Sequence, residues 1–249
     1  MTLHLEVLLH DFGHLAAMIR NLDAARERWA VWPAEEGQTM YQFGLPAAFG
    51  KAFSDGTTRL RQETPEFLYG MCFVHAYGLF EHYLKSILHA VLHSNPRILL
   101  TPVKQQHRDA EKKVSYREVI DSLESPGQLL DLIIDRELKA LMYMSCPDQL
   151  KTIRKRFGFG QLADDLDSRI VQLNEIRNCI VHNHAQANRE LASLSQGFYR
   201  AGCRIHIDRN VVSRAITNYS RFAQSVDQIA ERKYRLVTCD VDSSFEQGE

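Results

Sequence analysis

Cysteine, proline and tryptophan are scarce in this chain, at five, seven and two of 249 residues. The cysteines, Cys72, Cys146, Cys179, Cys203 and Cys239, form no CxxC pair, so free and mostly buried thiols are expected rather than a disulfide or zinc framework. Long apolar runs are missing too: no window approaches the roughly eighteen residues of a membrane span. The opening MTLHLEVLLHDFGHLAAMIRNL breaks its apolar run with Asp11 and histidines, against both a span and a signal peptide, and a cytoplasmic location is expected. Excess charge is absent, the formal net value being -1, so nucleic-acid binding would need a local basic surface. No Glu-x-x-His pair occurs, which argues against a di-iron bundle, and neither internal repeats nor low-complexity tracts are present.

What is there is helical periodicity, in a chain whose 45% hydrophobic content can bury a full core. Leu5, Leu8, Leu9, Phe12, Leu15, Ile19 and Leu22 predict a helix from Leu3 to Trp32, ended by Pro33. Residues 33–63 are rich in glycine and read as loop with one short helix at most. Thr64, Pro65 and Glu66 make a helix start of hydroxyl cap, first-turn proline and acid, with the helix running to about His93. Residues 95–114 read as loop, Ser115, Ser125 and Ser145 as the starts of three helices, and 161–183 as another helix. Gly202 to Asp208 alternates like a short strand or extended turn, and Asp208 caps a last helix to about Leu236. The expectation is an all-α bundle: an N-terminal helix and Gly-rich loop over 1–63, serving dimerisation or regulation, a helical domain over 64–238 with one extended element near 203–207, and an acidic disordered tail over 239–249.

Chemistry concentrates in EIRNCIVHNHA. Asn178 and His182 are four residues apart and share one helix face, while Arg177 lies about 100° round from Asn178. A permanent cation beside an amide and a histidine that titrates near neutrality suits phosphodiester chemistry. The apolar stripe of the same helix, Leu166, Ile170, Leu173, Ile176 and Ile180, takes in Arg177, so a carboxylate partner is expected for it, with Glu81 the candidate. Arg177 is therefore either a catalytic cation or a structural ion-pair member, and Glu81 a supporting or purely structural acid.

The RNCIVH segment resembles the R-x(4-6)-H motif, in its RN-xxx-H form, of the HEPN superfamily (higher eukaryotes and prokaryotes nucleotide-binding domain). The aromatic-rich FVHAYGLFEHYLKSILHAVL and the downstream GCRIHIDRNVVSRAITNYSRFAQSVDQI look like the same family, over about 65–237. The resemblance implies a HEPN-like bundle and a metal-independent endoribonuclease of toxin or phage-defence type, cleaving by 2'-hydroxyl attack to leave a 2',3'-cyclic phosphate. In that scheme His182 transfers protons, Arg177 stabilises phosphate charge, Asn178 orients phosphate or imidazole, and no metal or cofactor takes part. The implied partners are single-stranded or tRNA-like RNA, a second copy completing a composite site, and an antitoxin or regulatory protein. Where related toxins carry a tyrosine two residues after the histidine this chain has His184, so adenylylation there is not implied.

Each feature has a second meaning. His184 is either a second proton-transfer group or the residue after the helix end. His75, His82 and His89 recur every seven residues opposite the stripe Phe73, Tyr77, Phe80, Leu84 and Ile87, as a solvated face or a metal site. KTIRKRFGFG, with Lys151, Arg154, Lys155, Arg156, Phe157 and Phe159, is an RNA guide or a solvated helix end. The alternative for the whole chain is a noncatalytic helical module binding nucleotide, RNA or a protein, and a third is an antitoxin or adaptor.

Overall fold

The structure, a computed structural model, describes residues 2–31, 47–101, 126–160 and 165–236. The expected helix after Ser115 and the acidic tail lie outside these residues. Those described form an all-α fold: α1 (Leu3–Val31), α2 (Ala47–Ser94), a 3-10 turn (Pro96–Leu100), α3 (Pro126–Met142), α4 (Cys146–Phe157), α5 (Leu166–His182), α6 (Arg189–Leu194) and α7 (Arg209–Tyr234). Among the described residues no helix is long and apolar enough to cross a membrane.

Most boundaries follow the sequence signals. Ser145 caps α4, its hydroxyl accepting from the Asp148 amide at 3.4 Å, with proline in the first turn and the left-handed Gly158 (φ 62°) at the other end. Helix α7 starts after Asp208, whose carboxylate accepts from the Val211 amide at 2.8 Å. One start is corrected. Thr64–Pro65 does not open a helix, because α2 is continuous from Ala47 and carries Gly50, Gly56 and Pro65 inside it. The glycines cost about 1 kcal/mol each and the proline about 3. The core face that the helix presents further on, with Phe73, Phe80, Ile87 and Leu88 buried, offsets them.

The chain clusters into two compact units, one of Met1–Leu9, Leu79–Val171 and Tyr219–Glu249, the other of His10–Gly78 and Gln172–Asn218. In the first unit Phe80 stacks on Tyr219 (centroids 4.7 Å apart) and meets Phe222 edge-on at 5.4 Å. The Tyr83 hydroxyl donates to the Ala223 carbonyl at 2.9 Å, and buried Asp227 accepts from the Thr2 amide at 3.1 Å. Here α2 turns Leu84, Ile87, Leu88, Val91 and Leu92 inward at helical spacing.

The second unit buries Leu15 and Ile19 of α1, Tyr69, Cys72, Phe73 and Ala76 of α2, and Leu173, Ile176 and Cys179 of α5. Helices α2 and α5 pack together at Gly70, where an added Cβ would make an ordinary contact of 3.9 Å with the Ile180 Cγ2 methyl. Asp23 ties α1 to its neighbours, accepting from the Tyr69 hydroxyl and pairing with Arg209 at 3.0 Å. The alternation of GCRIHID is seen in the burial of Ile205 and Ile207 and the exposure of Arg204 and His206. It forms an extended turn rather than a sheet strand, joined to the chain after α5 by one antiparallel bridge, Gln186 to Arg204.

Candidate functional site

Helix α5 positions the RNCIVH residues. Its buried face is the expected one, Leu166, Ile170, Leu173 and Ile176, joined by Cys179 and by Glu175, which is only 7% exposed. Arg177 and Asn178 are half-buried, and His182, the last residue of the helix, is exposed.

The Arg177 guanidinium carbon lies 5.3 Å from the centroid of the Tyr77 ring, a cation–π distance. Its Nη1 donates to Asn178 Oδ1 at 3.2 Å, and its Nε is buried with no acceptor. Among the described residues no carboxylate lies within ion-pair distance of Arg177. Glu81 is half-buried in the α2 part of the first unit and makes no ion pair or side-chain hydrogen bond among the described residues.

The bond from Arg177 to Asn178 matters because neighbours in a helix point about 100° apart and do not normally meet. Here the long arginine side chain and the Asn178 amide meet all the same, while the guanidinium stays over Tyr77. Asn178 is itself held, its Nδ2 donating to Glu175 Oε2 at 3.4 Å. Glu175 Oε1 accepts from Asn188 Nδ2 at 2.6 Å, and Asn188 Oδ1 caps α6 by accepting from the Leu191 amide at 2.8 Å. A chain of contacts thus runs from Tyr77 through Arg177, Asn178, Glu175 and Asn188 to the start of α6. Glu175 and Asn188 went unnoticed in the sequence, although Glu175 sits three residues before Asn178, at the spacing that brings helix side chains together.

After His182 the chain leaves the helix through two consecutive residues in the left-handed region, His184 (φ 51°) and Ala185 (φ 57°). Neither is glycine, so the turn holds them there at a cost of the order of 1 kcal/mol each. The Ala185 amide donates to the Cys179 carbonyl at 3.0 Å, and Asn183 Nδ2 donates to the Gln186 carbonyl at 2.6 Å. His184 is exposed on this turn.

The KTIRKRFGFG segment does not have the form an RNA guide needs. Arg156 is ion-paired with Glu137 at 2.7 Å and donates to the Ile98 carbonyl, and Arg154 is paired with Asp167 at 2.5 Å. Phe157 and Phe159 are buried, stacked with centroids 6.0 Å apart, because the left-handed Gly158 turns the chain back at the helix end. Rings inside the core offer no face to a base.

His75 and His82 are exposed and His89 half-buried. His89 and His93 approach Asp131 at 3.9 and 2.8 Å. No group of three or more histidine, cysteine, aspartate or glutamate side chains is arranged to hold a metal ion among the described residues. Comparison of the chain with protein-family models, curated proteins and solved structures finds no match.

Proposed function

We propose that this protein is a metal-independent endoribonuclease, with Arg177, Asn178 and His182 at its site. The observation that carries the proposal is the state of Arg177: half-buried, bonded to Asn178 and over Tyr77, with no carboxylate at ion-pair distance among the described residues. A buried guanidinium is usually neutralised by a protein acid. One left without a protein acid, in the same segment as an exposed histidine, is suited to meet an anion from outside, and a phosphodiester is the anion that gives the histidine work to do. The resemblance of RNCIVH to the HEPN ribonuclease motif points the same way.

The reaction balances without a metal. The ribose 2'-oxygen attacks the adjacent phosphorus, the bond from phosphorus to the 5'-oxygen breaks, and the products are a 2',3'-cyclic phosphate and a 5'-hydroxyl end. One proton must leave the 2'-hydroxyl while another reaches the 5'-oxygen on the opposite side of phosphorus. A single imidazole does not serve both positions, so the proposal includes a homodimer in which His182 of one copy acts as base and His182 of the second as acid. Arg177 would donate forked hydrogen bonds to the phosphate oxygens as charge grows on them.

The test is incubation of the full chain with total tRNA and a single-stranded RNA in EDTA, beside His182→Ala and Arg177→Ala. The expected result is cleavage with cyclic-phosphate ends, reduced about 100- to 10,000-fold in His182→Ala. Both variants should keep the wild-type circular dichroism spectrum and molar mass. RNA left intact by the wild-type protein would refute the enzyme and favour the noncatalytic binding module.

A further inference from the structure

The chain from the end of α5 into the start of α7 is locally basic. Residues 182–214 hold five arginines against two acids, Glu190 and Asp208, in a protein whose formal net charge is -1. Within it Phe198 is 78% exposed, the most exposed aromatic ring among the described residues. Its neighbour Tyr199 is half-buried and meets it edge-on at 90°, with centroids 5.0 Å apart. With Tyr199 as its one ring contact, Phe198 leaves most of its apolar area in water. Its backbone is also fixed: the Phe198 amide donates to the Ser195 carbonyl and the Tyr199 amide to the Ser195 hydroxyl, both at 3.0 Å.

The loop is attached beside the end of α5. The Gly202 amide donates to the Ala187 carbonyl at 2.7 Å, the Ala187 amide to the Cys203 carbonyl at 2.9 Å, and the Ile205 amide to the Ala185 carbonyl at 2.7 Å. These three bonds hold residues 202–205 against 185–187, three to five residues beyond His182. Arg200 is exposed with no partner among the described residues, and Arg204, bridged to Gln186, is exposed and ion-paired with Glu66 at 3.5 Å, a solvent-facing pair that a phosphate can replace.

We propose that residues 196–206 form a platform for single-stranded RNA, with Phe198 stacking a base and Arg200 and Arg204 receiving backbone phosphates. The surface is argued from its own residues; that it feeds RNA to His182 rests on the ribonuclease proposal above. An open aromatic face flanked by arginines is the chemistry that recognises an unpaired strand, whose bases are free to stack. In a duplex the bases are stacked on one another, so a single ring on an exposed loop gains nothing there. The chain's neutral balance limits the attraction to this local patch.

The test uses the full chain carrying His182→Ala, which removes the proposed cleavage, in EDTA. A fluorescent single-stranded RNA of about a dozen nucleotides, and the same sequence as a duplex, are titrated and followed by anisotropy. The single strand should bind more tightly than the duplex. Adding Phe198→Ala should weaken the single strand roughly five- to hundredfold, and Phe198→Trp should restore it. Arg200→Ala should lower the slope of log affinity against log salt by about 0.7. No binding of the single strand, equal binding of the duplex, or an unchanged affinity in Phe198→Ala overturns the platform. The two proposals fail separately. Phe198-dependent binding by a wild-type chain that leaves RNA intact removes only the ribonuclease, whereas wild-type cleavage with Phe198→Ala at full rate and affinity removes only the platform.

Discussion

Glu175→Gln is a one-atom change that tests the contact chain behind RNCIVH. The wild-type carboxylate is 7% exposed and offers two acceptor oxygens to two amide donors, Asn188 Nδ2 at 2.6 Å and Asn178 Nδ2 at 3.4 Å. Glutamine keeps one acceptor and turns an NH2 toward one of the two donors. If the short bond to Asn188 is kept, it loses its charge assistance and the Asn178 amide loses its acceptor. If it is not kept, a buried donor faces another at about hydrogen-bond distance. A bond to a charged acceptor contributes about 1.5–3 kcal/mol, and a buried donor left unpaired costs a similar amount. The expected loss is therefore about 1.5–3 kcal/mol, seen as a lower urea midpoint by circular dichroism. At about 2–4 °C per kcal/mol for a chain of this size, Tm should fall by roughly 3–12 °C. Asn188→Ala should also cost about 0.5–2 kcal/mol through its cap on α6, and the two substitutions should be non-additive by about 1 kcal/mol or more. An unfolding free energy of Glu175→Gln within about 0.5 kcal/mol of wild type, or strict additivity, would refute the chain as a structural connection.

Two further outcomes follow from the same physics. Burial pulls the His4 imidazole below its ordinary value of 6.5, with Asp227 acting the other way and His82 and His89 adding to the fall. The folded state then resists the proton that the unfolded chain accepts, so stability is full above pH 6.5 and declines as pH drops below it. His4→Gln should flatten that decline in a Tm series from pH 7.5 downward, and an unchanged slope would show that His4 does not contribute. Gly158→Ala places a Cβ at φ 62°, 2.0 Å from Lys233 Nζ, which donates to the Phe157 carbonyl at 3.1 Å. The lysine end can swing away, but the left-handed backbone should still cost about 1–2 kcal/mol, and an unaltered Tm would contradict the strain.

Where one physical cause acted alone, the sequence was readable. The apolar period of α1, the Ser145 and Asp208 caps and the alternation that buries Ile205 and Ile207 are each a local rule obeyed. Where two causes competed, the local one lost. The punctuation of Gly50, Gly56 and Pro65 did not stop α2, and Phe157 and Phe159, placed among basic residues like a stacking surface, were taken into the core by the turn at Gly158. The candidate site shows the same limit on a smaller scale. A helical projection fixes where a Cβ points, and by that measure Arg177 belongs to the apolar stripe and needs a carboxylate. Its long side chain is not bound by that direction. It places the guanidinium over Tyr77 and within reach of Asn178, a position that depends on a ring from another helix and an amide held by Glu175. Periodicity on one helix contains no term for either partner. The exposure of Phe198 arises from the Ser195 turn and the three bonds to residues 185–187, which are contacts rather than patterns. The order in which the candidate features become visible is thus set by reach: residue spacing gives Arg177, Asn178 and His182, packing adds the placing of the guanidinium over Tyr77, and only the loop attachment adds Phe198.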